Sequence, residues 1–204
     1  MTPAVPGQIA ENFHVLSPAD YRISRWKNGL GETVEIARSP AGTGLYDFDW
    51  RVSFAAVAAG GPFSQFPGVD RTIMVFEGKG MVLSLGTVTV AVRSLLPFAP
   101  FTFSGEMPVN GQLLDGPVRD LNLMCKRSAY FGTMRAAGSD LEWTETGHAT
   151  TTLVFASTGP VELSVNSTLA RLAALGTGLV TGAGQMALHG DAAASAVVMR
   201  ICPA

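Results

Sequence analysis

The stretch Phe48-Asp49-Trp50-Arg51-Val52-Ser53-Phe54-Ala55 (residues 48–55) decides the class of fold, because large apolar side chains occupy every second position. A period of two is typical of a half-buried β-strand, and it places Arg51 and Ser53 together on the polar face. The same alternation recurs in residues 32–38 and 118–125. Many such short strands, separated by glycine and proline, predict an all-β sandwich or barrel. The helix-forming composition of residues 168–175 predicts at most one or two helical turns there.

Composition limits the classes of partner. The 204 residues are 47% hydrophobic and 15% charged, with a net charge of -2, so they can fill a large core but offer no basic surface for nucleic acid. The chain has neither a secretory signal pattern nor an apolar run long enough to cross a membrane, which favours a cytoplasmic location. In a reducing compartment we expect Cys125 and Cys202 to remain thiols. The partners expected are therefore a small molecule and, as a homodimer, a second copy of the chain.

A weak internal repeat predicts two units. Two pairs of segments match in order, namely residues 75–82 with 154–161 and residues 101–105 with 186–190. The first pair shares valine, phenylalanine, glycine and valine at equal spacing, and the second shares an apolar strand that ends in glycine. We therefore expect two β-barrels, in residues 1–130 and 131–204.

The loop at residues 25–35, Arg-Trp-Lys-Asn-Gly-Leu-Gly-Glu-Thr-Val-Glu, combines cationic, aromatic, amide and carboxylate groups around two glycines. Glycine permits a tight fold that would bring Trp26, Lys27 and Asn28 to one point. The alternative is an ordinary hairpin, since Asn-Gly is a strong turn signal and Trp26 would then cover a core.

Several motifs together resemble the HutD/Ves family. They are Trp26-Lys27-Asn28-Gly29, Gly31-Glu32-Thr33, Glu35-Ile36, Asp49-Trp50-Arg51-Val52-Ser53, Gly61-Pro62-Phe63-Ser64, Phe66-Pro67-Gly68-Val69-Asp70-Arg71 and Asp120-Leu121-Asn122-Leu123-Met124. The resemblance implies a cupin-like double-stranded β-helix (jelly roll), with two barrels in tandem (a bicupin). It also implies a bacterial protein linked to histidine utilisation that binds an intermediate such as formylglutamate, with no firmly attached enzymatic activity. Leu30 departs from the family pattern, in which a small residue is expected between the two glycines.

The sequence does not favour a metal or another cofactor. A cupin metal site needs closely spaced histidines and a carboxylate, whereas the three histidines, His14, His148 and His189, are isolated. The same shortage argues against a catalytic triad built on serine or cysteine. We expect these histidines to be structural.

Polar side chains on the inferred strands form the candidate binding site. If the polar faces all point into one barrel, its interior can recognise a small carboxylate through Arg51, while Trp26 closes over the apolar part of the ligand. The full set of candidate ligand-binding residues is Trp26, Lys27, Asn28, Glu35, Arg51, Ser53, Arg71, Asp120 and Asn122. The structural alternative is that Arg51 only pairs with Glu35 or Asp120, and that Arg71 only pairs with Asp70 or caps a loop.

The sequence therefore favours a metal-free protein that binds a small carboxylate metabolite and has an accessory or regulatory role in histidine utilisation. The competing hypothesis is an enzyme, an isomerase or amidohydrolase, that uses the same pocket with Glu35 as general base.

Overall fold

The computed structural model describes residues 8–26, 31–42, 44, 46–86, 91–137, 141–148, 150–190 and 196–204. These residues divide into two compact units. The first unit is Arg22–Thr133, with Ala204, and the second unit combines Met1–Tyr21 with Met134–Pro203.

The described residues form twenty strands and one 3-10 turn, Pro18–Asp20, so the all-β prediction is confirmed. The strands up to the end of the first unit are β1 (Gln8–Ala10), β2 (Phe13–Leu16), β3 (Arg22–Arg25), β4 (Gly31–Ser39), β5 (Trp50–Val57), β6 (Gly61–Pro62), β7 (Val69–Glu77), β8 (Met81–Leu85), β9 (Ala91–Leu95), β10 (Phe101–Ser104), β11 (Val109–Leu113) and β12 (Val118–Lys126). The remaining strands are β13 (Tyr130–Ala137), β14 (Leu141–Glu145), β15 (Thr151–Ala156), β16 (Val161–Val165), β17 (Thr168–Leu172), β18 (Thr177–Thr181), β19 (Gly184–Gly190) and β20 (Ala196–Pro203).

Two sheets carry the strands of each unit. The first unit has the orders β10-β7-β12-β5-β4-β3 and β6-β11-β8-β9, and the second has β1-β2-β18-β15-β20-β13 and β14-β19-β16-β17. The eight strands β5 to β12 therefore occupy the same places, in the same chain order, as the eight strands β13 to β20. In each unit, four of these eight strands lie in the six-stranded sheet and the other four form the second sheet.

The structure corrects two expectations about the repeat. Residues 75–82 and 154–161 both form a strand, a turn and the next strand, as the sequence predicts. Residues 101–105 and 186–190 do not correspond, because β10 lies beside β7 whereas β19 lies in the other kind of sheet, beside β16. The apolar alternation that ends in glycine is common to many strands, so it cannot identify a particular one.

Two further expectations were wrong. The segment expected to form a helical turn starts with strand β17, whose residues pair with β16. Residues before Arg22 do not belong with the domain predicted over 1–130, because β2 pairs with β18 and Phe13 is fully buried in the core of the second unit. Local patterns predict a strand but do not name its partner.

The turn between β7 and β8 shows why glycine is needed in this repeat. Gly78 and Gly80 have φ values of 98° and 108°, a region that residues with a Cβ rarely adopt. A Cβ on Gly80 would also lie 2.4 Å from the carbonyl oxygen of Leu95. The turn therefore brings β8 back across the core of the first unit. No helix in the described part of the chain has the length and apolar character needed to span a membrane.

Candidate functional site

A cavity of about 520 Å³ opens in the first unit. Its lining includes Ser24, Trp26, Thr33, Arg51, Ser53, Ala55, Val57, Phe63, Phe66, Arg71, Met81, Asp120, Asn122 and Met124. The exposed Arg25 also lines the cavity, so apolar side chains surround three guanidinium groups, one carboxyl group and one amide. Concave sites of this size with a few convergent polar groups are the usual form of a small-molecule site.

The polar groups are positioned by three adjacent strands, with β12 between β5 and β7. The register places three rows across β5, β12 and β7, which are Arg51–Met124–Arg71, Ser53–Asn122–Ile73 and Ala55–Asp120–Val75. Residues that pair directly across antiparallel strands point to the same face. Alternation along β5 and β12 therefore aims the polar positions of both strands at one interior.

A bulge in β4 builds an ion-paired cluster beside the cavity. The register shifts between Glu35 and Ala37, so that Glu35 lies opposite Ser53 while Arg38 lies opposite Arg51. Without that extra residue, positions 35 and 38 would point to opposite faces. The Nε of Arg38 donates to Glu35 Oε1 at 2.7 Å, and the Nε of Arg51 donates to Glu35 Oε2 at 2.7 Å. Glu35 is therefore shared between two arginines.

These bonds set the protonation of Glu35. Burial by itself would raise the pKa of Glu35, but the hydrogen bonds and charges of Arg38 and Arg51 outweigh burial and lower that pKa. The carboxylate thus remains ionised and occupied by its two cations.

A second chain of hydrogen bonds crosses the cavity wall. The Nε and Nη2 of Arg71 both donate to Asn122 Oδ1, at 2.9 and 2.6 Å, and Asn122 Nδ2 donates to Asp120 Oδ1. The Arg71 guanidinium also lies over the ring of Phe63, 4.6 Å from its centroid. Such stacking and hydrogen bonding fix Arg71 in one orientation.

Burial shifts the pKa of the two groups at the ends of this chain of hydrogen bonds, Asp120 and Arg71. It raises the pKa of Asp120 to about 6, even though the charge of Arg71 and the hydrogen bond from Asn122 act in the opposite direction. It lowers the pKa of Arg71 to about 10, against the opposing influence of Asp120. At neutral pH Asp120 is mostly ionised but can take up a proton under mildly acidic conditions.

Several polar atoms in the cavity have no partner among the described residues. Arg51 is only 6% exposed, yet only its Nε donates to the protein, which leaves Nη1 and Nη2 available. Within the same described ranges, the Ser53 hydroxyl and the second oxygen of Asp120 make no hydrogen bond. These groups are the ones a ligand would meet.

Trp26 forms the edge of the cavity. Its Nε1 donates to Thr33 Oγ1 at 2.9 Å, which fixes the ring on strand β4. A Cβ on Gly31 would lie 3.0 Å from that ring and 2.5 Å from the Ala56 carbonyl oxygen, so the ring can approach only because residue 31 is glycine.

The nine sequence-predicted residues are distributed as follows. The structure brings six of them to the cavity, namely Trp26, Arg51, Ser53, Arg71, Asp120 and Asn122. Glu35 does not line the cavity but contacts it through Arg51. Lys27 and Asn28 lie outside the described residues, as does Leu30.

The structure corrects the expected partner of Arg71 and adds residues that the sequence did not indicate. Asp70 pairs with Arg127 at 2.8 Å, and Arg71 binds Asn122 instead, because neighbouring residues on a strand point to opposite faces. The sequence did not indicate Arg38, because the bulge that turns its side chain towards Glu35 cannot be recognised from the alternation of polar and apolar residues. Phe63 could have been found from its position in the Gly-Pro-Phe-Ser motif.

None of the three histidines is among the residues that line this cavity. His14 lies on β2 and His189 on β19, both in the second unit, and His148 is exposed between β14 and β15. Within the described ranges, no three histidine, cysteine, aspartate or glutamate side chains gather in a group able to hold a metal ion.

Comparison with known proteins identifies the family. The HutD family model matches residues 18–198. The chain belongs to the HutD family. It is 40% identical, over 160 residues, to an uncharacterized 21.2 kDa protein in the hutC 3′ region of Pseudomonas putida, covering 75% of this chain and 78% of that protein. The predicted resemblance is therefore confirmed.

Solved structures confirm the cupin-like fold of this HutD family member. The structure of HutD from Pseudomonas fluorescens SBW25 superposes with a TM-score of 0.79 at 33% identity and covers 94% of this chain and 99% of that one. A Cupin 2 conserved barrel domain protein from Leptotrichia buccalis superposes with a TM-score of 0.55 at 9% identity, covering 85% of this chain and 89% of that one. At that identity the second likeness concerns the fold alone.

Proposed function

We propose that this HutD family member is a metal-free binding protein for a small carboxylate metabolite. The observation that carries the proposal is the Arg51 guanidinium, which is almost fully buried and has two nitrogens without a described protein acceptor. A buried guanidinium is costly unless its donors are satisfied, and a carboxylate matches the planar fork of two N–H groups.

The charge balance around the cavity supports an anionic ligand. Arg38, Arg51 and Arg71 face the two carboxyl groups of Glu35 and Asp120, so one positive charge is left uncompensated when both acids are ionised. The partial protonation of Asp120 increases that excess. An anion that enters the cavity would therefore be attracted to the guanidinium of Arg51.

The relatives support a role in histidine utilisation. One relative lies in a hutC 3′ region, and a HutD from Pseudomonas fluorescens shares the fold over 94% of this chain. A formylated intermediate such as formylglutamate carries both a formyl group and carboxylates. We propose that the protein binds such an intermediate in the cytoplasm and acts as an accessory or regulatory factor.

We further propose that the chain is a bicupin, with two cupin-like barrels in tandem. The shared strand order of β5 to β12 and β13 to β20 supports this interpretation. Only the first unit is assigned the binding role, since the cavity that we describe lies there.

An enzyme that uses the same cavity is the second candidate. The lowered pKa of Glu35 and its two arginine partners make it a poor general base. The specific observation that favours an enzyme is Asp120, a buried cavity residue whose pKa of about 6 suits proton transfer near neutral pH.

One experiment tests both candidates. Formylglutamate, glutarate and the neutral diamide of glutarate are titrated into the protein by calorimetry, and each mixture is then analysed for new products by mass spectrometry. We expect carboxylates to bind, the diamide to fail and no turnover to occur. Absence of binding by every carboxylate would contradict the proposal, and product formation would favour the enzyme.

A further inference from the structure

Strand β3 leaves one edge of the larger sheet of the first unit open. Among the described residues it is the last strand in the order β10-β7-β12-β5-β4-β3, and all four of its residues are exposed. Proteins usually cover or protect such an edge, because its unpaired main chain can accept a further strand. The side chain of Ile23, in the middle of this edge, is nevertheless 61% exposed.

The main chain of β3 has hydrogen-bonding groups that face away from the sheet. The Trp26 N–H donates to the Gly31 carbonyl oxygen at 3.0 Å. In an antiparallel pair only every second residue exchanges such bonds with the neighbouring strand, and the residues between them turn their N–H and C=O outwards. Counting back from Trp26, Ile23 and Arg25 are the outward residues. They offer two donors and two acceptors to the open edge.

The two arginines of β3 have no partner in the described part of the chain. Arg22 lies opposite Glu35, and Arg25 lies opposite Glu32, in the pairing with β4. Glu35 is already shared between two other arginines, and neither Arg22 nor Arg25 makes an ion pair or a side-chain hydrogen bond with a described residue. The open edge therefore carries two cations without a bonded acid.

Strand β4 shows which sequence is complementary to β3. Its segment Glu32-Thr33-Val34-Glu35 lies directly opposite Arg25, Ser24, Ile23 and Arg22 in antiparallel register. The pairs thus join acid with arginine, hydroxyl with hydroxyl and valine with isoleucine, which are the kinds of cross-strand pair that stabilise a sheet. The open side of β3 presents the same four side chains. It fits a second antiparallel strand with the order acid, hydroxyl residue, β-branched residue, acid.

We propose that β3 is a docking edge for an acidic, extended segment of another protein, which joins the sheet as an antiparallel strand. Main-chain hydrogen bonds supply the affinity in this mode of recognition, and the side-chain pairs select the partner. A second copy of this chain does not suit the edge, because two paired β3 strands would bring four arginine side chains together. Neither Arg22 nor Ile23 lines the cavity, so this inference goes beyond the proposed function and does not rest on it.

Three fluorescent peptides test this proposal on the wild-type protein. They share the same glycine-serine flanks, and their cores are Glu-Thr-Val-Glu, Lys-Thr-Val-Lys and the rearranged Thr-Glu-Glu-Val. Fluorescence anisotropy at low salt measures their affinities. We expect the first peptide to bind at least about tenfold more tightly than the others, because only its core places an acid opposite each arginine and valine opposite isoleucine. Added salt should weaken this binding.

A proline substitution tests whether the peptide binds on β3. Ile23→Pro removes an outward N–H and leaves the hydrogen bonds to β4 in place, and proline is tolerated in edge strands. We expect the Glu-Thr-Val-Glu peptide to bind this variant about tenfold or more weakly. The matched control is Ile9→Pro in β1, an edge strand of the second unit, where Ile9 is 46% exposed. It should bind as wild type does, and thermal unfolding shows whether both variants are folded.

Hydrogen exchange gives a second measurement on the wild-type protein. The amide hydrogens of Ile23 and Arg25 should exchange more slowly when the Glu-Thr-Val-Glu peptide is bound, because the added strand accepts hydrogen bonds from them. This measurement and the peptide comparison decide the matter if Ile23→Pro does not fold.

Four results would overturn the proposal. These are equal binding of all three peptides, no binding of the Glu-Thr-Val-Glu peptide, unchanged exchange at Ile23 and Arg25, and wild-type affinity in a folded Ile23→Pro variant. Sedimentation tests the other occupant of this edge. A wild-type dimer that Ile23→Pro converts to a monomer would assign the edge to a second copy of the chain, against the proposal.

Discussion

Replacing Asp120 with asparagine should stabilise the protein at neutral and higher pH. Asp120 is buried, and burial raises its pKa from the usual 3.8 to about 6. An acid with a raised pKa binds its proton more tightly in the folded state, so its contribution to stability is complete below pH 3.8 and is lost as the pH rises through 6. The difference between the two pKa values corresponds to about 3 kcal/mol of unfolding free energy.

The asparagine keeps the size of the side chain and the acceptor for Asn122, and it removes the charge. We therefore expect the unfolding free energy of Asp120→Asn to match that of wild type near pH 4 and to exceed it at pH 8 by up to about 3 kcal/mol. Urea unfolding at pH 4 to 8, followed by tryptophan fluorescence, measures this difference.

A control substitution in the second unit should change the stability in the opposite direction. In the second unit, hydrogen bonds from Arg200 lower the pKa of Glu145 and outweigh its burial. Glu145→Gln should therefore be less stable than wild type above the ordinary pKa of a glutamate, and this deficit should shrink as the pH falls through the lowered pKa of Glu145. The reasoning would be refuted if Asp120→Asn were less stable than wild type at pH 8, or if its advantage did not grow with pH.

Two substitutions test the walls of the cavity. A Cβ on Gly111 would lie 2.9 Å from the Phe63 ring, so Gly111→Ala should displace that ring and disturb Arg71, which lies over it. We expect calorimetry to show weaker carboxylate binding. An unchanged affinity would mean that the ligand binds elsewhere. Trp26→Phe removes the hydrogen bond from Nε1 to Thr33 Oγ1, so it should loosen the edge of the cavity. It should also abolish any change in tryptophan fluorescence on ligand binding. A fluorescence change that persists would come from another tryptophan.

The cavity face of the first unit could be predicted from local alternation. Arg51 and Ser53 share one face of β5, and Asp120 and Asn122 share one face of β12, because a strand has a period of two. These residues meet because β5 and β12 pair directly. The motif resemblance supplied the fold, which alternation alone leaves open between a sandwich and a barrel.

The bulge that interrupts the two-residue period of strand β4 could not be predicted from the sequence. The bulge near Glu35 brings Arg38 to the same face, although a spacing of three places residues on opposite faces of a regular strand. Glu35 was accordingly expected to face a ligand, whereas it is occupied by two arginines.

The difference between the two units also needed the structure. Val154 corresponds to Val75 in the repeat, and the residue paired with it across the sheet is Val198 rather than an acid equivalent to Asp120. Both Val154 and Val198 are buried in an apolar core. The position that carries the polar Asp120 in the first unit is therefore occupied by the apolar Val198 in the second unit.

The central claim is that Arg51 binds the carboxylate of a small ligand. The most direct test is calorimetric titration of N-formylglutamate and glutarate into wild type, Arg51→Ala and Arg51→Lys, with Arg119→Ala as control because Arg119 forms an exposed ion pair with Glu77. Unfolding is measured alongside, since Arg51→Ala leaves Glu35 with fewer cationic partners.

We predict that Arg51→Ala weakens binding by about 1.5 to 3 kcal/mol, the usual contribution of a hydrogen bond to a charged group. Arg51→Lys should restore part of this loss, because an ammonium group keeps the charge without the planar fork. Arg119→Ala should bind as wild type does. A folded Arg51→Ala protein that binds both carboxylates as tightly as wild type would contradict the account.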